Sequence, residues 1–395
     1  MYDTRNKWQT IALVSGVLLI AANLRVPFTS IAPIMPMIQG DFGLSSSELG
    51  LLTSLPLLAF TVFSPISASI AHRFGLERTL FGALTIVSLG ILLRSLGNEW
   101  VLYSGTIFIG IGIALGNVLL PSLIKRDFSG NVASMTGAYS ITMGAAGAIG
   151  SALVIPIAHV WGWNTSLNVL LVVPLLALIM WLPQLKKHEP VDPAASKKHA
   201  TVNVWRSSLG WQVTLFMGFN AMPFYVAVGW LPTILIDNDL SATEAGSVHG
   251  ILQFATAIPG LILAATLRRL KDQKAAAVTM SLMVSLSLIG LIYAPHLALL
   301  WAVFLGFGSG ASMMLGLTFI GLRTTNAGDA AALSGMAQSV GYLMAAAGPL
   351  LLGQLHDWTD GWTLPLFATA LISIAGACTG MMAGRNVHLE STSVH

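Results

Sequence analysis

Charge is what this sequence has least of: only 9% of its 395 residues are charged and 55% are hydrophobic, against roughly 25% charged in soluble domains. A water-soluble fold with so few polar groups could not cover its own surface. Cysteine is almost missing too. Cys378 stands alone in an apolar run, which excludes an intrachain disulfide and a cysteine-held zinc cluster. Walker motifs, metal-ligand clusters and nucleophile elbows are absent, so no cofactor, no metal and no enzymatic activity are expected. The net charge of +3 does not indicate a nucleic-acid partner, because the basic residues are scattered and form no stripe. The first apolar run, from Trp8, is too long for a signal-peptide core and is expected to remain in the mature chain.

What the sequence has in place of charge is long apolar runs. Read against the charged breaks, they fall at 8–37, 46–70, 78–97, 100–124, 132–158, 163–184, 208–236, 243–266, 275–294, 297–321, 330–354 and 362–384. Each is about as long as a membrane-spanning helix needs to be, and a helix satisfies its own backbone in lipid. The expected fold is therefore an all-α membrane protein with twelve transmembrane helices. The odd-numbered turns, counted with the first few residues of the next span, hold Asp41, Glu48, Glu99, Asp237, Asp239, Glu244, Asp357 and Asp360 and no Lys or Arg, whereas 17 of the 19 basic residues lie on the other side. Basic loops stay cytoplasmic, which puts both termini inside, in the inner membrane of a bacterium.

The chain also resembles itself at an offset of 196 residues: Pro27-Phe28 matches Pro223-Phe224, Glu48 and Gly50 match Glu244 and Gly246, Arg73 matches Arg269, and Phe108, Gly110 and Gly112 match Phe304, Gly306 and Gly308. Gly162-Trp163 and Gly361-Trp362 match at a slightly larger offset. The expectation is two six-helix bundles, 1–185 and 208–395, joined by a polar cytoplasmic linker at 186–207. Such repeats rock about a central cleft to give alternating access. The Gly110-x-Gly112-x-x-x-Gly116 pattern lies within an apolar run with no preceding strand, so it reads as close helix packing and not as a nucleotide fingerprint.

The turn Ala71-His72-Arg73-Phe74-Gly75-Leu76-Glu77-Arg78 resembles the loop signature between the second and third helices of the major facilitator superfamily. Arg73, Gly75 and Arg78 fit it, while His72 stands where an Asp is usual. A gating role for Arg73, Gly75, Arg78 and the matching Arg269 is what that resemblance implies. Asn23-Leu24-Arg25 with Pro27, the run Leu119 to Phe128, Gly321-Leu322-Arg323 and the stretch Ala331 to Gly341 further resemble the cyanate and 2-nitroimidazole transporter family. The resemblance implies a secondary transporter, with a small-molecule substrate and membrane lipid as partners, a possible coupling proton and a monomeric working unit.

Arg25 is the residue hardest to explain as scaffold. It lies roughly 22 Å along the first span, too deep for easy snorkelling, and a cation there is costly unless it faces a wet cavity or a partner. No Asp or Glu lies deep in any predicted span. Arg25 is therefore the candidate for holding an anionic or electron-rich group such as cyanate or a nitro group, since its planar fork suits paired oxygens. Arg94, near the outer end of the third span, is expected to reach interfacial water or Glu99. His249 and Gln253 share a face of the eighth span, and are candidate substrate contacts. Thr29, Asn117, Tyr139, Asn220, Tyr225, Gln338 and Tyr342 complete the candidate pocket. At the repeat offset Arg25 corresponds to Ala221, His249 to Thr53, Gln253 to Leu57 and Asn117 to Met313, so the candidate pocket breaks the symmetry of the scaffold. The alternatives are an efflux carrier for neutral organic solutes and a non-transporting membrane receptor.

Overall fold

The computed structural model describes residues 7–186, 202–267 and 272–389, and the regular structure among them is helical. The helices are α1 (Lys7–Asn23), α2 (Val26–Thr29), α3 (Met35–Phe42), α4 (Ser46–Phe74), α5 (Leu76–Arg94), α6 (Glu99–Asp127), α7 (Val132–Val169), α8 (Val172–Trp181), α9 (Ser208–Ile236), α10 (Ala242–Ala255), α11 (Ile258–Leu267), α12 (Lys274–Tyr293), α13 (Ala298–Leu322), α14 (Ala327–Thr359) and α15 (Thr363–Ala383). Among the described residues, 11 stretches are long and apolar enough to cross a membrane. The fifth, Ser134–Leu185, has 52 residues, and at about 1.5 Å per residue it exceeds twice the roughly 30 Å hydrocarbon core. It is not a single rod. Gly162, at φ 82° and ψ 158°, breaks it in a backbone region open only to glycine. The break falls between the runs at 132–158 and 163–184 that the sequence separates.

The self-similarity of the sequence recurs as geometry. Ser45 and Glu48 form a capping box at the start of α4, and Ser241 and Glu244 form the same box at the start of α10, 196 residues on. Both signatures follow from a Ser whose hydroxyl accepts the N3 N–H while the N3 carboxylate accepts the Ser N–H. Trp163 donates its indole N–H to Asp41, and Trp362 donates to Asp237 at 2.7 Å. A methyl on Gly110 would meet Pro56 and Ala59, and one on Gly306 would meet Leu252 and Ala255. In both places glycine lets two helices touch backbone to backbone.

The acidic and basic loops lie at opposite ends of the molecule, and the packing differs between those ends. At the acidic end, residues before the linker are hydrogen-bonded to residues after it. Asp357, at the end of α14, accepts the backbone N–H groups of Ser46 and Ser47 at 3.0 Å each, and His356 meets the Ser46 hydroxyl at 3.2 Å. A carboxylate on the first N–H groups of a 29-residue helix matches both its unpaired donors and its dipole. Along α4 most residues from Ser46 to Phe60 are buried, and after Phe60 only Ser67 and Ala71 are. The halves are hydrogen-bonded to each other at the acidic end, while the basic-end part of α4 is less buried.

At the basic end each half is tied to itself. Arg126 is paired with Glu77 and with Asp127, and Trp181 donates to the Glu77 carbonyl at 3.0 Å. Arg323 is buried and donates to the Ala383 carbonyl at 2.9 Å and to Gln273 Oε1 at 2.7 Å. Arg73 and Arg78 are exposed, with the Arg73 guanidinium 5.4 Å from the Phe74 ring centre. Gly75 supplies the positive φ of 87° between α4 and α5. Arg269 and most of the 186–207 linker lie outside the described residues.

Candidate functional site

Two interrupted helices face each other near the middle of the molecule. The first interruption separates α1 from α2 at Leu24 and Arg25. Pro27, in the first turn of α2, has no N–H to continue the α1 ladder. The preceding turn tightens, with Leu24 N–H donating to the Ala21 carbonyl and Arg25 N–H to that of Ala22. The second interruption separates α10 from α11 at Thr256 and Ala257, three residues before Pro259. Interrupted helices at mid-membrane are tolerated where their backbone lines a cavity or is covered by protein.

A cavity of about 220 Å³ lies between these interruptions and α7, α9, α13 and α14. Six of the sequence candidates line it: Arg25, Tyr139, Asn220, Tyr225, Gln338 and Tyr342. The Arg25 guanidinium stands 5.4 Å from the centre of the Phe224 ring, a cation–π contact across the two halves. It forms no ion pair or hydrogen bond among the described residues. Asn220 is held by its neighbours, receiving Ser281 Oγ–H at 2.8 Å and donating to the Phe216 carbonyl at 2.8 Å. Gln338 donates to Ser334 Oγ at 2.8 Å, which leaves its carbonyl oxygen to the cavity. Phe28 packs edge-on against Tyr225 at 5.6 Å and Phe60 against Tyr342 at 5.3 Å. These two pairs close the two halves on each other beside the cavity.

Four candidates stand elsewhere. Thr29 is buried and donates its hydroxyl to the Arg25 carbonyl at 3.1 Å. Asn117 is half-buried on α6 and is not in the cavity wall. His249 and Gln253 are fully buried at the α7–α10 contact, where His249 meets Ser151 Oγ and Gln253 Nε2, each at 3.1 Å. Arg94 differs from its expectation as well. It does not reach water or Glu99 but is 1% exposed and donates to the Pro27 carbonyl at 2.7 Å, in the segment interrupted at Arg25.

The remaining wall went unread in the sequence. Met143, Met217, Met313, Met314 and Phe224 make it apolar and deformable. Their signal in the sequence is that of any core residue. The break at Thr256 and Ala257 could have been found from Pro259-Gly260, since a proline ends or kinks a helix at the residues before it. Ser309 and Gly310 of α13 also line the cavity.

The sequence profile described as Major Facilitator Superfamily matches residues 13–349. The chain belongs to that superfamily. It is 52% identical over 381 residues to the 2-nitroimidazole transporter of Escherichia coli strain K12, covering 96% of this chain and 97% of that protein. To the cyanate transport protein CynX of the same organism it is 26% identical over 354 residues, covering 88% and 91%. A solved bacterial homologue of the human lysosomal transporter Spinster, inward-facing and occupied, superimposes with a TM-score of 0.77 at 17% identity, covering 97% of this chain and 98% of that one. As a major facilitator this chain is a multi-pass membrane transporter and not an enzyme, built for alternating access.

Proposed function

We propose that this chain carries a small anionic or electron-rich planar solute, nitro-heterocycle-like or cyanate-like, across a bacterial inner membrane. Arg25 is its anchor. The observation that carries the reading is a guanidinium turned to a mid-membrane cavity with no carboxylate paired to it among the described residues. The relatives named for 2-nitroimidazole and cyanate support the same substrate class. Between those two, the methionine and aromatic wall favours a ring bearing an oxygen pair over a bare triatomic anion, because an apolar wall gains most from apolar area. Tyr139, Tyr225, Tyr342, Asn220 and Gln338 supply the polar contacts, and His249, Gln253, Thr29 and Asn117 support them from outside the cavity wall.

In this reading the break at Gly162 makes twelve crossings of the eleven stretches, in bundles 1–185 and 208–395 with the 186–207 linker and both termini in the cytoplasm. One chain in lipid is the working unit. The cavity then belongs to an inward-open state, supported by the closed acidic end. Arg73, Gly75, Arg78 and Arg269 act in the cytoplasmic gate. Import of an anion into a negative cell opposes about 2.3 kcal/mol per charge per 100 mV, a cost that export or an accompanying proton removes. The same methionine-rich wall favours one second reading, efflux of neutral organic solutes. Uptake of labelled 2-nitroimidazole into proteoliposomes, with wild type beside Arg25→Ala and Arg25→Lys, tests the anchor. We expect loss with Ala and partial loss with Lys; full activity in both variants contradicts it.

A further inference from the structure

Behind the cavity wall runs a buried string of polar side chains that the proposed substrate contacts leave unexplained. His249 Nδ1 lies 3.1 Å from Ser151 Oγ, and His249 Nε2 lies 3.1 Å from Gln253 Nε2. With the Gln253 amide nitrogen donating, Nε2 of the ring accepts and the ring hydrogen sits on Nδ1; the ring also hydrogen-bonds the Val228 backbone. The opposite atom of the amide, Gln253 Oε1, is buried and has no hydrogen-bond partner. So is Nε of Arg25. One is an acceptor lacking a donor, the other a donor lacking an acceptor. Both side chains pack on the same glycine of α7: a methyl at Gly147 would come 2.7 Å from Arg25 Cγ and 3.6 Å from Gln253 Cβ. The orphaned donor and the orphaned acceptor thus belong to side chains that lie against one point of α7.

We propose that Gln253 is the positioning residue for Arg25. Its Oε1 takes the Arg25 Nε–H when a solute engages the outer N–H groups of the guanidinium, and His249 and Ser151 hold the amide in the sense that presents oxygen. A guanidinium gripped at Nε keeps only its planar fork free for the cavity, which selects an oxygen pair over a single acceptor. Because Gln253 and His249 belong to α10, Ser151 and Gly147 to α7 and Arg25 to the break after α1, solute binding would also draw both halves together at this point. The inference rests on the reading of the cavity as the substrate site.

Equilibrium binding to the purified full-length protein tests it, with 2-nitroimidazole as the oxygen-pair probe and benzamide as a ring that lacks the pair. Gln253→Leu, which removes the acceptor, should lower 2-nitroimidazole affinity about tenfold, as for one buried hydrogen bond lost, and should shrink the preference over benzamide while the melting temperature holds. Gln253→Glu, which sets a competing carboxylate beside Arg25, should lower 2-nitroimidazole affinity further. Unchanged affinity and preference in Gln253→Leu, alongside loss in Arg25→Ala, overturns the positioning role and leaves the proposed function standing. An equal loss for both probes together with a fall in melting temperature marks a structural role and also overturns it. Wild-type protein that does not bind 2-nitroimidazole overturns both readings.

Discussion

A guanidinium in the membrane interior needs a carboxylate, a wet cavity or backbone carbonyls to hold it, and this chain contains two that solve the problem differently. Arg94 is sealed inside its own half and serves the Pro27 carbonyl, with Nε and Nη2 left unpartnered. Arg25 faces the cavity and the Phe224 ring. Their variants should separate accordingly. Arg94→Ala leaves a buried carbonyl unpaired and opens a void, and should cost at least about 1–3 kcal/mol, read as a lower melting temperature with ligand selectivity retained. Arg25→Ala should keep the melting temperature and lose at least about tenfold in solute affinity. Both residues were visible in the sequence as charges within apolar runs. Which of them meets a cavity was not, because both depths are compatible with burial and only the packing of α2, α5 and α9 distinguishes them. The same limit applies to His249 and Gln253: their shared helical face was legible, but not that it meets Gly147 and Ser151 of α7 instead of the cavity.

Among the elements, the two that carry most are a helix start and a helix break. Asp357 caps α4 from the other half of the chain, and loss of a capping carboxylate typically costs about 0.5–2 kcal/mol. Asp357→Ala should therefore loosen the closed acidic end. In a background with the exposed Cys378 replaced, a cysteine put in place of the buried Ser54 should react with a maleimide several-fold faster; an unchanged rate would show that Asp357 does not hold the halves together. Gly162 is the break that divides the Ser134–Leu185 stretch. Its φ and ψ belong to a region that side chains avoid at about 1–3 kcal/mol, so Gly162→Ala should lower thermal stability by that order, measured by the unfolding midpoint in detergent. Most spans were legible because charge separates the apolar runs, whereas the boundaries at 158–163 and 294–297 carry only His159 and Gly162, and Pro295 and His296. The α1–α2 and α10–α11 breaks carry no charge marker other than Arg25, and the second is announced only by Pro259.

Across the whole molecule, the two halves are tied to each other at the acidic end by Asp357 and His356, and each is tied to itself at the basic end. The duplication explains the frame: the capping boxes, the Trp–Asp pairs and the glycine contacts recur in both halves. The cavity uses what the duplication did not keep, Arg25 on one side and Ala221 and Met313 on the other. In the orientation proposed above, a green fluorescent protein fused after residue 395 should fluoresce in intact bacteria and an alkaline phosphatase fused there should be inactive; the reverse pattern would invert the orientation. The most direct test of the account is counterflow: proteoliposomes loaded with unlabelled 2-nitroimidazole and diluted into the labelled compound, with wild type and Arg25→Ala side by side. The account predicts transient accumulation of label in the wild type and none in the variant. Equal accumulation in both would contradict Arg25 as the anchor, and none in either would contradict this solute class.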